Sequence, residues 1–170
     1  MTTPTGSGEE AKVSADGDLD DFVAAVSAVS WLLVGISTRA VEEVNERVTL
    51  TQFRTLAVLA DRGQTNLSKL AAELDVNAST AMRVVDRLVA ADLVSRTENP
   101  LTRREVVLCL TPIGERLVSD VVTKRRAAIA ELIRALPAAA QATLVSCLRS
   151  VTAAAESAGM HPAAPASLGW

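Results

Sequence analysis

The stretch LSKLAAEL (Leu67–Leu74), DVN (Asp75–Asn77), ASTAMRVVDRL (Ala78–Leu88) decides the fold. Leu67, Leu70, Ala71 and Leu74 recur at the spacing of one helix face, and Asn66 just before them suits an N-cap. A break follows at Asp75-Val76-Asn77. Asn77 can cap a second helix over residues 78–91, with Ala81, Val84, Val85 and Leu88 inward and Ser79, Met82, Arg83 and Asp86 outward. Two short helices joined by a tight turn make a helix-turn-helix.

Upstream, Thr49 with Gln52 three positions on forms a capping box, predicting a helix over 50–61 with Phe53, Leu56, Ala57 and Ala60 inward; Arg62-Gly63 ends it. Further back, Phe22, Val26, Val29, Leu33, Ile36 and Ala40 form a stripe along a long helix beginning near Leu19. Downstream, 93–97 and 105–110 favour strands around a turn with a basic tip, a hairpin. Thr111-Pro112 restarts a long helix to about Ala135, Pro137 breaks the pattern, and an Ala-rich last helix runs over 138–156 until Gly159. Residues 1–17 read as a disordered acidic arm and 159–170 as a flexible tail. The fold class expected is mainly α with a small β-hairpin: a winged helix-turn-helix domain over 49–111, plus a helical dimerisation domain from 18–48 and 112–158.

Composition bounds what such a chain can do. Its 170 residues, 49% hydrophobic, suit one compact domain or a small domain with an oligomerisation element. Two Cys and one His cannot supply the usual three or four zinc ligands, and Cys109 and Cys147 lack Cys-x-x-Cys spacing, so no metal and no disulfide framework is expected. The most apolar run, 22–36, is shorter than the roughly 20 residues of a membrane span. The segment before it holds six acidic side chains against Lys12, the reverse of a basic leader, so a cytoplasmic, nucleoid-associated location is expected. Without residues 1–21 the balance is 16 positive to 14 negative, or +2 against −3 for the whole chain, so overall acidity says little about partners. Fourteen of the 17 basic residues are Arg, whose planar fork pairs with phosphates and guanine edges.

A helix-turn-helix followed by a hairpin with Arg at its tip is the layout of a winged DNA-binding domain: one helix enters a major groove and the hairpin reaches flanking backbone or minor groove. Asn77, Ser79 and Thr80 open the groove-facing helix with small polar groups that approach phosphates closely, and Arg83, one turn on, reaches base edges. Arg103 and Arg104 stand at the hairpin tip as backbone contacts. Arg87 suits either a phosphate contact or a salt bridge, while Asp86 reads as a partner for a nearby Arg, since a bare carboxylate would repel DNA. Cys109 and Cys147 read as small buried hydrophobes, with a redox role as the alternative, and His161 has no chemical role. No Gly-rich phosphate loop or Gly-x-Ser-x-Gly elbow occurs, so neither catalytic residues nor a cofactor is expected.

The ordered run from Thr49-Leu50-Thr51-Gln52-Phe53 through the two short helices, Leu93-Val94-Ser95-Arg96, Pro100-Leu101-Thr102-Arg103-Arg104 and Leu110-Thr111-Pro112-Ile113-Gly114 resembles the MarR family of bacterial regulators. It departs in two places. Thr102 stands where the family's wing commonly has Asp, two positions before the matching Arg104. Met82 replaces a small hydroxyl residue on the recognition helix, which would favour an apolar contact such as a thymine methyl. The resemblance implies an obligate dimer built by the first and last two helices, and the uncovered apolar stripes point the same way. It also implies an effector pocket between the first helix and the winged domain, with Trp31 and Phe53 as candidates to line it for a small aromatic or amphipathic molecule.

The function expected is therefore a homodimeric, sequence-specific DNA-binding transcription regulator, a repressor by resemblance, on a near-palindromic operator. Its rival is a helical dimerisation protein of winged fold acting through protein partners, favoured by the weak charge of residues 50–110, eight basic against seven acidic.

Overall fold

The computed structural model describes residues 7–98 and 106–160. It contains helices α1 (Ser7–Val44), α2 (Leu50–Arg62), α3 (Leu67–Leu74) and α4 (Ala78–Ala90), strands β1 (Val94–Glu98) and β2 (Val106–Leu110), and helices α5 (Pro112–Arg134) and α6 (Ala138–Ser157). The chain divides into two units, residues 1–36 and 37–170.

In the first unit, the part of α1 up to Ile36 turns its large apolar side chains outward: Leu19, Phe22, Val23, Val26, Val29, Leu32 and Val34 are exposed, and Trp31 is 76% exposed. The helix begins well before the Leu19 expected, at Ser7. Glu9-Glu10-Ala11-Lys12 consists of good helix formers. The segment Asp18–Val44 is long enough for a membrane-spanning helix and contains an 18-residue window with a mean hydropathy of 1.7. The sequence expectation, which counted only 22–36, was too short. The C-terminal end of that segment nevertheless belongs to a packed protein core, because Ala40 and Val41 are buried.

The core of the second unit joins Ala40, Val41 and Val48 to Phe53, Leu56 and Leu59 of α2, Leu70 and Leu74 of α3, Val85 and Leu88 of α4, Val94 and Leu108 of the hairpin, and Leu117, Val118 and Val121 of α5. Each helix entry is fixed locally. Thr49 and Gln52 form the expected capping box on α2. Asn66, Asn77 and Thr111 cap α3, α4 and α5 through their side-chain oxygens. Ala60, expected inward on α2, is exposed instead, while Thr55, Val58 and Leu59 are buried. The buried surface of α2 is thus wider than a single stripe because α3, α4, α5 and β2 all pack on it.

Strands β1 and β2 pair antiparallel with Val94 opposite Leu110 and Glu98 opposite Val106. Leu108 also exchanges two backbone hydrogen bonds with Thr65, of 2.7 and 3.1 Å, which ties the hairpin to the α2–α3 connection. Helix α6 has no buried residue, so Cys147, expected inside, is exposed; Cys109 is half-buried. In the second unit Leu132 of α5 and Val145, Leu148 and Val151 of α6 are exposed.

Candidate nucleic-acid interface

The α3–α4 turn is built from two capped helices and one left-handed residue. Asp75, at φ 54°, closes α3 and lets the chain reverse. Asn77 Oδ1 then accepts from the Thr80 backbone N–H at 2.8 Å and from the Ser79 hydroxyl at 2.7 Å, which orders the first turn of α4. Ala81, Val85 and Leu88 are buried, at most 1% exposed, and fix the rotation of the helix. That rotation leaves Asn77, Ser79, Met82, Arg83, Asp86 and Arg87 exposed, with Thr80 half-buried beside them. Six of the expected contact residues, Asn77, Ser79, Thr80, Met82, Arg83 and Arg87, therefore lie on α4 and its N-cap. Arg83 Nη2 donates to Thr80 Oγ1 at 3.3 Å, holding the guanidinium over the N-terminal turn.

Asp86 does have an Arg partner, but it is Arg96 of β1 at 2.5 Å rather than the neighbouring Arg87. Side chains at successive helix positions point about 100° apart and do not face each other, whereas β1 packs on α4. Arg87 is exposed and has no ion-pair partner among the described residues. Arg96 also donates to Met82 Sδ at 3.3 Å. The sequence reading missed Arg96. The signal was present in Asp86, a carboxylate on an otherwise cationic face that needed a counter-charge from outside its own helix. Arg103 and Arg104, at the expected wing tip, lie outside the described residues.

The junction behind the wing is tight. Thr111 Oγ1 donates to the Asp92 carbonyl at 2.6 Å and accepts from Gly114 N–H at 3.1 Å, and the Thr111 N–H donates to the Leu93 carbonyl at 3.1 Å. A Cβ on Gly114 would stand 2.2 Å from that same carbonyl oxygen, so only glycine fits there.

Of the residues assigned to an effector cleft, Phe53 is completely buried and lines neither of two cavities beside α2. It belongs to the core because Thr49 caps α2 in the rotation that puts Phe53, Leu56 and Ala57 inside. One cavity, of about 890 Å³, lies between α2, β2 and α5 and is walled by Leu59, Cys109, Leu110, Val118, Val122 and Arg126. The other, of about 960 Å³, lies along α2 and α3 beside Arg54, Arg62 and Lys69. Behind the winged unit, Arg125 is buried and its Nε donates to Ser37 Oγ at 3.0 Å; loss of hydration lowers its pKa from the ordinary guanidinium value. Among the described residues no His, Cys, Asp and Glu side chains cluster as a metal site would require.

Comparison with known proteins agrees with this geometry. A MarR family profile matches residues 48–106. The chain is 34% identical over 79 residues to YsmB of Bacillus subtilis, an HTH-type transcriptional regulator, covering 46% of this chain and 54% of YsmB. It is 30% identical over 121 residues to MdtR of Bacillus subtilis, an HTH-type transcriptional repressor, covering 71% of this chain and 76% of MdtR. Its fold is similar to the crystal structure of RV1404 from Mycobacterium tuberculosis, with a TM-score of 0.75, 36% identity, and coverage of 91% of this chain and 98% of that one. The capped α3–turn–α4 pair, the hairpin behind it and these similarities together place the chain in the MarR family of transcription regulators.

Proposed function

We propose that the chain is a homodimeric transcription repressor that inserts α4 of each subunit into successive major grooves of a near-palindromic operator. The observation that carries this reading is the exposed face of α4, where Ser79, Thr80, Met82 and Arg83 follow a side-chain-capped N-terminus on a helix locked by Ala81, Val85 and Leu88. Backbone N–H groups at that terminus attract phosphate, and Arg83 reaches farther, toward base edges. Arg87, Arg103 and Arg104 supply backbone contacts. The description of MdtR as a repressor supports the direction of control.

The dimer is supported by apolar surface that one chain leaves in water: Phe22, Val26 and Val29 in the first unit and Val145, Leu148 and Val151 in the second are each 45–56% exposed. Such a protein acts in the cytoplasm on chromosomal DNA. A small aromatic or amphipathic effector would release it only to the extent that it binds a spacing of the two α4 helices unfit for DNA more tightly than the fit one. Trp31 remains a candidate contact for that molecule, and Phe53 contributes as core.

Selection of bound fragments from a random duplex pool, followed by gel shift at low salt, tests the reading. A palindromic site with half-sites about one helical turn apart is expected. No retardation of any duplex, even at low salt where nonspecific binding is strongest, would leave the protein-partner reading in its place.

A further inference from the structure

We propose that Arg96, on the wing strand β1, is a positioning residue for base recognition: it orients the Met82 side chain on the exposed face of α4 and so sharpens the preference at the base pair Met82 meets. This rests on the reading of α4 as the groove-entering helix. A single terminal nitrogen of Arg96, Nη2, spends its two N–H groups on two acceptors of α4, Asp86 Oδ1 at 2.5 Å and Met82 Sδ at 3.3 Å. Met82 and Asp86 are four positions apart and lie one above the other on the helix surface. The carboxylate localises the guanidinium, and the second N–H of the same nitrogen then meets the sulfur.

Arg96 brings this contact from a fixed direction. Its strand is anchored by Val94, 2% exposed, and Arg96 itself is paired across the hairpin with Leu108, which is in turn bonded to Thr65. Met82 is 41% exposed, and an unbranched thioether with three rotatable bonds would otherwise sample many orientations. A thioether is a weak acceptor, so the contact selects an orientation more than it adds stability. A base-contacting group already in place loses less freedom on binding and discriminates more sharply. The same arrangement neutralises Asp86, the one carboxylate among the exposed side chains of α4.

The test measures binding to every single-base variant of the selected operator, using the wild-type chain, Met82→Leu, Arg96→Gln, Asp86→Asn and the Met82→Leu/Arg96→Gln and Asp86→Asn/Arg96→Gln pairs. Leucine keeps the apolar bulk and removes the sulfur. Met82→Leu should alter preference at one base pair of each half-site. Arg96→Gln and Asp86→Asn should each relax preference at that same base pair by about threefold or more with preference at other positions unchanged, while Arg96→Gln, which bares the Asp86 carboxylate, should also lower affinity across sequences. Arg96→Gln should change preference no further once Met82 is Leu. If Arg96→Gln fails to fold, Asp86→Asn carries the test, because it removes the charge that localises the guanidinium while leaving β1 intact.

The proposal is overturned if Met82→Leu leaves preference untouched, or if the Arg96 and Asp86 variants act at a different base pair or weaken all sequences equally. A salt slope that falls by about one on Arg96→Gln when Asp86 is already Asn, so that no carboxylate is bared, would also overturn it, since that assigns Arg96 to a phosphate. A wild-type chain that selects no site would show instead that α4 does not read DNA, and this proposal would fall with that reading.

Discussion

Gly114 is held to glycine by a neighbour's backbone rather than by its own torsion angles. The Leu93 carbonyl already accepts the Thr111 N–H, and its oxygen lies 2.2 Å from where a Cβ would stand. A carbonyl fixed in this way cannot step aside as a flexible side chain could. Gly114→Ala is expected to cost about 1–3 kcal/mol, read as a lower midpoint in chemical denaturation; an unchanged midpoint would show that the α5 entry gives way freely. Arg83→Ala belongs to the same scale and the opposite class. Its side chain is exposed and bonded only to Thr80 among the described partners, so folding should be unaffected. Affinity for the selected site should fall by about 1–3 kcal/mol with nonspecific affinity nearly constant, and equal losses on both would remove Arg83 from base reading. Arg83 was legible in the sequence because caps and helix-surface positions are set by near neighbours, whereas the constraint on Gly114 comes from Leu93, distant along the chain. Arg96 was not legible, because its partners Met82 and Asp86 are brought to it by strand packing.

Helix boundaries in the winged unit follow from the capping residues, which explains why α3 falls at 67–74 as expected and α2 and α4 differ from expectation by a residue at their ends. The start of α1 was not read from the sequence, because the Asp-rich segment nearer Leu19 offered the stronger helix-start signal. The α6 prediction located the helix but not its surroundings: an Ala-rich stripe does not reveal whether its cover comes from the same chain. Capping also carries a prediction for the element it orders. Asn77 holds both the Thr80 N–H and the Ser79 hydroxyl, so Asn77→Ala should lower stability by about 1 kcal/mol while loosening the turn proposed to meet phosphate. Operator affinity should therefore drop by more than the same change made at Asn66, which caps α3 through Lys69 N–H. Parallel binding and unfolding measurements on the two variants check this, and equal affinity losses would detach the α4 cap from DNA contact. At the tip expected from the sequence, Arg104→Ala should weaken binding across sequences and reduce the salt slope by about one, measured by titration at several ionic strengths.

At the scale of the whole molecule, the distribution of apolar surface joins fold to function. The second unit buries a continuous core from α2 to α5, yet Val145, Leu148 and Val151 on α6 remain half exposed, as do Val26 and Val29 in the first unit. A helix with no buried residue contributes little to the folding of its own chain, so its apolar face is free to serve a second copy. Leu148→Glu separates these two roles. In a single chain the carboxylate would project into water from a side chain already 51% exposed, and helix content should be unchanged by circular dichroism. In a two-fold interface the substitution occurs twice and buries two unpaired charges, each costing several kcal/mol. The dimer dissociation constant should rise on the order of a hundredfold or more, visible as monomer by light scattering at micromolar concentration. Operator affinity should fall with it, because a lone subunit engages one half-site and loses the gain from linking two. A Leu148→Glu chain that stays dimeric with full operator affinity would place the subunit interface elsewhere and leave the α6 face without an occupant.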